Sequence, residues 1–124
     1  MTEINAGGVT FAIEYRRQGT DHGPAIRVFG NVDGERVQLL RFDCFATDPH
    51  YHYDPTGKNQ LFHLDPLTIG SPLEFSLLQI GARLGAMIDK AGFSQLARLV
   101  DEGQVTSRIA EIRAAVAAEE ISSE

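Results

Sequence analysis

Asp43, Cys44, Asp48, His50, His52, Asp54, His63 and Asp65 all fall between Arg41 and Asp65, and three of the chain's four histidines are among them. Within that stretch His50, Tyr51, His52, Tyr53 and Asp54 alternate strictly. In an extended strand a period of two puts His50, His52 and Asp54 on one face and both tyrosines on the other. A strand offers metal ligands with this spacing, and two imidazoles with a carboxylate suit a divalent cation. Such a set becomes a catalytic centre only with a further ligand and an open coordination position. His63 is the candidate extra ligand. Asp43 is the candidate outer partner, because a metal-bound imidazole hands its second N–H to a carboxylate or carbonyl.

Whether His63 joins the pair depends on the register of the hairpin around Asp54-Pro55-Thr56-Gly57, since a one-residue slip moves a strand to the other face. If Asp54 pairs with Asn59 around a four-residue loop, His50 lies opposite His63 and three histidines share a face. If Pro55-Thr56 is the turn and Gly57 takes a left-handed bulge position, Asp54 pairs with Lys58 and His63 joins Tyr51. The Pro-Thr-Gly order favours the second register. On the preceding strand, placing Phe45 opposite His50 sets Asp43 against His52 and Arg41 against Asp54.

Other chemistries find less support. Cys44 lies between Phe42 and Phe45, where a thiol is a small buried hydrophobe rather than a thiolate. The chain has no Gly-x-Ser-x-Gly elbow, and neither Gly7-Gly8 nor Gly19 to Gly23 has the lysine and spacing of a phosphate loop. Asp48, Asp54 and Asp65 each precede proline and read as turn starters. No residue stands out as catalytic, and His22 reads as a solvated loop histidine.

The elements that position these residues divide the chain in two. Strands fill the first two thirds and helices the last third, the order of a single α+β domain over residues 1–124. Val9, Phe11, Ile13 and Tyr15 alternate with Thr10, Ala12, Glu14 and Arg16 in a first strand ended by the Gly19 to Gly23 loop. A second strand over Ile26 to Val32 turns at Asp33-Gly34 into a third, Arg36 to Phe45. The apolar phase of the third slips between Leu39 and Leu40, which we read as coverage of both faces rather than a bulge. With His50 to Asp54 and Gln60 to Leu64 this makes an antiparallel sheet of about five strands, covered by two to three C-terminal helices. The first helix runs from about Pro72 to Lys90, with Ser71 as N-cap and a stripe of Leu73, Leu77, Ile80, Leu84 and Met87 or Ile88. Gly81 and Gly85 mark the close approach of another backbone. A shorter helix covers Ser94 to Asp101, and a third, about Gln104 to Glu119, carries Val105, Ile109, Ile112 and Val116 for docking onto the core or onto a second copy.

The 124-residue chain has a net charge of -6 with scattered basic residues, which argues against a nucleic-acid partner held through phosphates. One cysteine excludes an internal disulfide, and the start Met-Thr-Glu-Ile-Asn lacks the basic and apolar regions of an export signal, so the cytoplasm is expected. The stretch Leu73 to Ile88 is too short and too polar to span a bilayer.

Leu40-Arg41-Phe42-Asp43-Cys44-Phe45 followed by Asp48-Pro49-His50-Tyr51-His52-Tyr53-Asp54-Pro55 resembles a signature of a family of small uncharacterised bacterial proteins of about this length. That resemblance covers most of the chain and implies no activity. More distantly, Tyr-His-Tyr-Asp before a turn is similar to small toxin components of toxin–antitoxin modules, from which no catalytic residue carries over. Three functions follow as expectations. The first is a homodimeric binding or interaction module. The second is a metal-dependent hydrolase-like enzyme in which His50 and His52, with Asp54 or His63, hold a divalent ion and Asp43 orients one imidazole. The third is a toxin-like partner of an antitoxin.

Overall fold

Six strands form one antiparallel sheet in chain order: β1 (Thr2–Ala6), β2 (Val9–Gln18), β3 (Asp21–Val32), β4 (Glu35–Asp43), β5 (His50–Tyr53) and β6 (Gln60–His63). Five helices follow: α1 (Pro66–Ile69), α2 (Pro72–Lys90), α3 (Ser94–Leu99), α4 (Glu102–Ser107) and α5 (Ile109–Ser122). This computed structural model describes residues 1–124, and the class is the expected α+β.

The unanticipated strand is β1. It has only two inward apolar positions, Ile4 and Ala6, too few to show as a period. Its hairpin closes with Ala6 opposite Val9 around Gly7-Gly8, both at positive φ as a two-residue turn of this hand requires. The first long hairpin is also tighter than expected. Gln18 pairs with Asp21, so Gly19-Thr20 is the whole turn and both strands extend through the supposed loop.

The phase slip in β4 is a bulge, not a sign that both faces are covered. Val28 pairs with Leu40 and Phe29 with Gln38, which leaves Leu39 as the extra residue. Leu39 and Leu40 thereby enter the same core, alongside Phe11, Ile13, Ile26, Val28 and Phe42 from the sheet. The helices close this side: α2 packs on β4 and β5, α3 on β3, and α5 on β1, β2 and β3. α2 contributes Leu77, Ile80, Leu84, Met87 and Ile88, as its stripe predicts, and Ser71 caps it by accepting from the Glu74 N–H at 3.2 Å. The helix kinks at Arg83, and α4 satisfies the backbone groups on either side of the kink. Thr106 Oγ1 donates to Gly81 O at 3.0 Å, and Glu102 Oε1 accepts from the Gly85 N–H at 3.2 Å. A Cβ at Gly85 would stand 3.5 Å from both the Ala97 carbonyl oxygen and the Glu102 carboxyl carbon, and one at Gly81 3.6 Å from Ile109, ordinary contact distances, so the expected close approach of another backbone does not require either glycine.

The predicted third helix is two helices, broken at Arg108, whose φ of -106° and ψ of 2° leave the helical region. Val105, Ile112 and Val116 are buried in the core. No helix is long and apolar enough to cross a membrane.

Candidate metal centre

Because α2, α3 and α5 pack on the apolar side of the sheet, the other face carries the polar half of the alternation. Arg41 pairs with His52 and Asp43 with His50, while Ala25 on β3 faces Asp43 from the other side. This β4–β5 register differs by two residues from the expected one. The cause is the Cys44 to Pro49 connection, which continues along β3 through Cys44 N–H to Pro24 O (2.9 Å) and Ala46 N–H to His22 O (3.0 Å). Asp21 then folds its corner, accepting from Thr47 N–H at 3.0 Å and Asp48 N–H at 2.8 Å. A shift of two preserves the face, so the same side chains still meet.

They meet at Asp43, whose side chain is 0% exposed. Arg16 Nη1 donates to Asp43 Oδ1 at 3.0 Å, and Arg41 Nε donates to Oδ2 at 3.0 Å. Arg16 comes from β2, two strands away, and reaches the carboxylate across Gly23, which has no side chain, and Ala25, which has only a methyl group. His50 Nε2 lies 2.9 Å and His52 Nε2 3.2 Å from the same Oδ2.

The protons on both rings can be placed from their neighbours. Arginine only donates, so His52 Nε2, 3.0 Å from Arg41 Nη2, carries the lone pair; Nδ1 then donates to Asn59 Oδ1 at 2.7 Å. Burial pushes the His52 pKa down, helped by the Arg41 charge and opposed by the Asn59 hydrogen bond and Asp43, which agrees with a neutral ring. His50 Nδ1 faces the Asp48 carbonyl oxygen at 2.9 Å and must donate to it. Its Nε2 therefore meets Asp43 Oδ2 with a lone pair unless a proton or a metal cation lies between them.

Both imidazoles thus have Nδ1 fixed by an oxygen acceptor and Nε2 turned to one carboxylate oxygen, the arrangement by which outer partners orient metal-ligating histidines. The ligand atoms of Asp43, His50 and His52 lie within 4.8 Å of one another. Ligands about 2.1 Å from an octahedral ion stand about 3 Å apart, which matches the two separations measured to Oδ2. The group opens into a cleft of about 470 Å³ lined also by Arg16, Asp21, Arg41 and Asp48, so its carboxylates outnumber its guanidinium groups.

A protein-family model described as a domain of unknown function, DUF7700, matches residues 3–116. The chain belongs to this family. No curated protein and no solved structure matches it.

In this DUF7700 chain the β5–β6 register is the one with a four-residue loop. His50 pairs with His63 and Tyr53 with Gln60, contrary to the turn signal. The left-handed residues are Asp54 (φ 50°) and Asn59 (φ 49°), both types that tolerate that region, whereas Gly57 is absent from it. Gly57 serves a different need: a Cβ there would stand 2.3 Å from Asp54 Oδ2. That carboxylate accepts from Lys58 N–H at 2.9 Å, so Asp54 organises the turn and stands in neither ligand group. His63 does lie near His50, with ring centroids 5.8 Å apart, but its Nδ1 turns to Asp48 Oδ1 at 2.8 Å. Asp48, His50 and His63 make a second, more exposed group.

Cys44 lies in the core on the helix side of the sheet, where its thiol donates to Ser76 Oγ at 3.3 Å and burial pushes its pKa up to about 12. It takes no part in the cleft. Sequence reasoning cast Asp43 as an outer partner, whereas its carboxylate is the centre of the group. It missed Arg16 and Asn59; the alternation of Glu14 and Arg16 with Ile13 and Tyr15 on β2 carried a signal for Arg16, and nothing local did so for Asn59.

Proposed function

We propose that this protein is a small binding module that holds one divalent transition metal on the open face of its sheet, between His50 Nε2, His52 Nε2 and Asp43. The observation that carries this reading is His50, both of whose ring nitrogens face oxygen acceptors. A cation between Nε2 and the carboxylate resolves that conflict, and two imidazoles with one carboxylate suit zinc, iron or nickel. Arg41 competes for the same lone pairs. A metal on His52 Nε2 must displace the Arg41 guanidinium, which is 3.0 Å from that nitrogen, so Arg41 makes binding weaker than the ligand set alone implies. The net charge of -6 supports a ligand other than nucleic acid.

A second reading, metal-dependent hydrolysis, is supported by the cleft itself. Three protein ligands leave a coordination position facing that space, where a bound water becomes acidic enough to attack a substrate.

Elemental analysis of tag-free protein, purified without added metal or chelator beside a His50→Ala/His52→Ala variant, tests the metal. The expected result is near-stoichiometric zinc, iron, nickel or manganese in the parent and none in the variant. Equal content in the two proteins would sink the proposal.

A further inference from the structure

The helical stripe that the sequence offered to a second copy is closed on the sheet through Val105, Ile112 and Val116. Apolar surface remains elsewhere, on β6. All four of its residues are exposed, with Leu61 at 39% and Phe62 at 41%, and Leu67 just beyond it at 96%. β6 is the last strand of the sheet. Leu64 N–H donates to Pro49 O, and antiparallel ladders alternate, so Gln60 and Phe62 turn their backbone groups to β5 while Leu61 and His63 turn theirs outward.

Edges are protected by short length, lysine, proline or a bulge; β6 is short, at four residues, but Gln60-Leu61-Phe62-His63 carries no lysine, proline or bulge. The opposite edge, β1, differs. Its Glu3 is paired with Arg36, and Glu119 binds both Thr2 and the chain's amino terminus.

We propose that β6 pairs antiparallel with β6 of a second copy of this chain, about a two-fold axis at Phe62, so that two sheets become one. On that axis Leu61 of each copy meets His63 of the other, both outward-facing positions, and they exchange both backbone bonds. Phe62 meets its own counterpart on the helix side. The Lys58 end of one strand faces the Asp65 end of the other, which sets opposite charges together at both ends. This self-complementarity selects a second copy over an unrelated strand. The proposal is independent of the metal reading.

Sedimentation of the tag-free full chain, from low to high micromolar concentration with chelator present, tests it. Two variants accompany the parent, each checked for fold by circular dichroism. Leu61→Lys adds an edge lysine, and His63→Pro removes an outward N–H without touching the β5 ladder. The expected result is a concentration-dependent dimer whose dissociation constant rises at least about tenfold in each variant. In the parent, exchange of the Leu61 and His63 amides slows as concentration rises. A parent that stays monomeric throughout overturns the proposal, and so does a dimer that both variants leave unchanged.

Discussion

The two faces of this sheet are made by the same strands and cohere by different means. Under the helices, Phe11, Ile13, Val28, Leu40 and Phe42 meet Ile80, Leu84 and Ile88 in a core whose attraction is non-directional and scales with buried area. On the open face, Asp43 and His52 are nearly as buried, yet what holds them is a directional network in which each donor has one acceptor. No buried side-chain nitrogen or oxygen lacks a partner. The covered face makes the fold; the open face places two imidazoles on a carboxylate, held by hydrogen bonds to Arg16, Arg41, Asn59 and the Asp48 carbonyl, with the His50 Nε2–Asp43 Oδ2 contact left for a cation to bridge.

Substitutions on the two faces should therefore separate stability from binding. The largest loss is expected on the covered face: Phe11→Ala should cost about 3–5 kcal/mol in denaturant unfolding. At temperatures where that variant remains folded, its metal content should match the parent's. Asp43→Ala should cost about 3 kcal/mol, the low end for a broken buried pair, because Arg16 and Arg41 can turn to solvent. It should also abolish metal binding. A small stability loss with metal retained would show that the carboxylate is not the centre of the group.

Mild acid should act on the open face through His52, whereas the ion-paired carboxylates Glu74, Glu111 and Glu119 on the helices, held below the usual carboxylate range, respond only at lower pH. His52 has a folded pKa held below its ordinary 6.5 by burial, so below that pH the unfolded chain binds more protons than the folded one. In chelator-treated protein its contribution is complete above about pH 6.5 and is lost as pH falls toward the folded value. The measurement is unfolding free energy at pH 7.5 against pH 5.5, parent beside His52→Gln, with a shallower slope expected in the variant. The smallest effect belongs to the turn. Asp54→Ala should cost about 1 kcal/mol through its left-handed backbone and Asp54→Asn less, with metal content unchanged in both. Metal loss in Asp54→Asn would make that carboxylate a ligand after all.

How much of this was legible in the sequence differs between the faces as well. Periodicity gave α2 with its cap and stripe, and the alternation of His50 and His52, because those signals are local. The bulge at Leu39 hid within an apolar run that two physical arrangements explain equally well. The β5–β6 register went against the Pro-Thr-Gly signal because Asp54 and Asn59 took the left-handed positions, leaving Gly57 to make room for a carboxylate. Arg16 reaches Asp43 from 27 residues away, over Gly23 and Ala25, and only the strand order reveals that path.

Calorimetric titration of zinc into chelator-stripped, tag-free protein, alongside His50→Ala, His52→Ala and Asp43→Asn, tests the convergence on Asp43 most directly. The parent should bind one equivalent, and each variant should lose affinity by at least about tenfold. Binding that survives all three substitutions, or no binding by the parent, would contradict it.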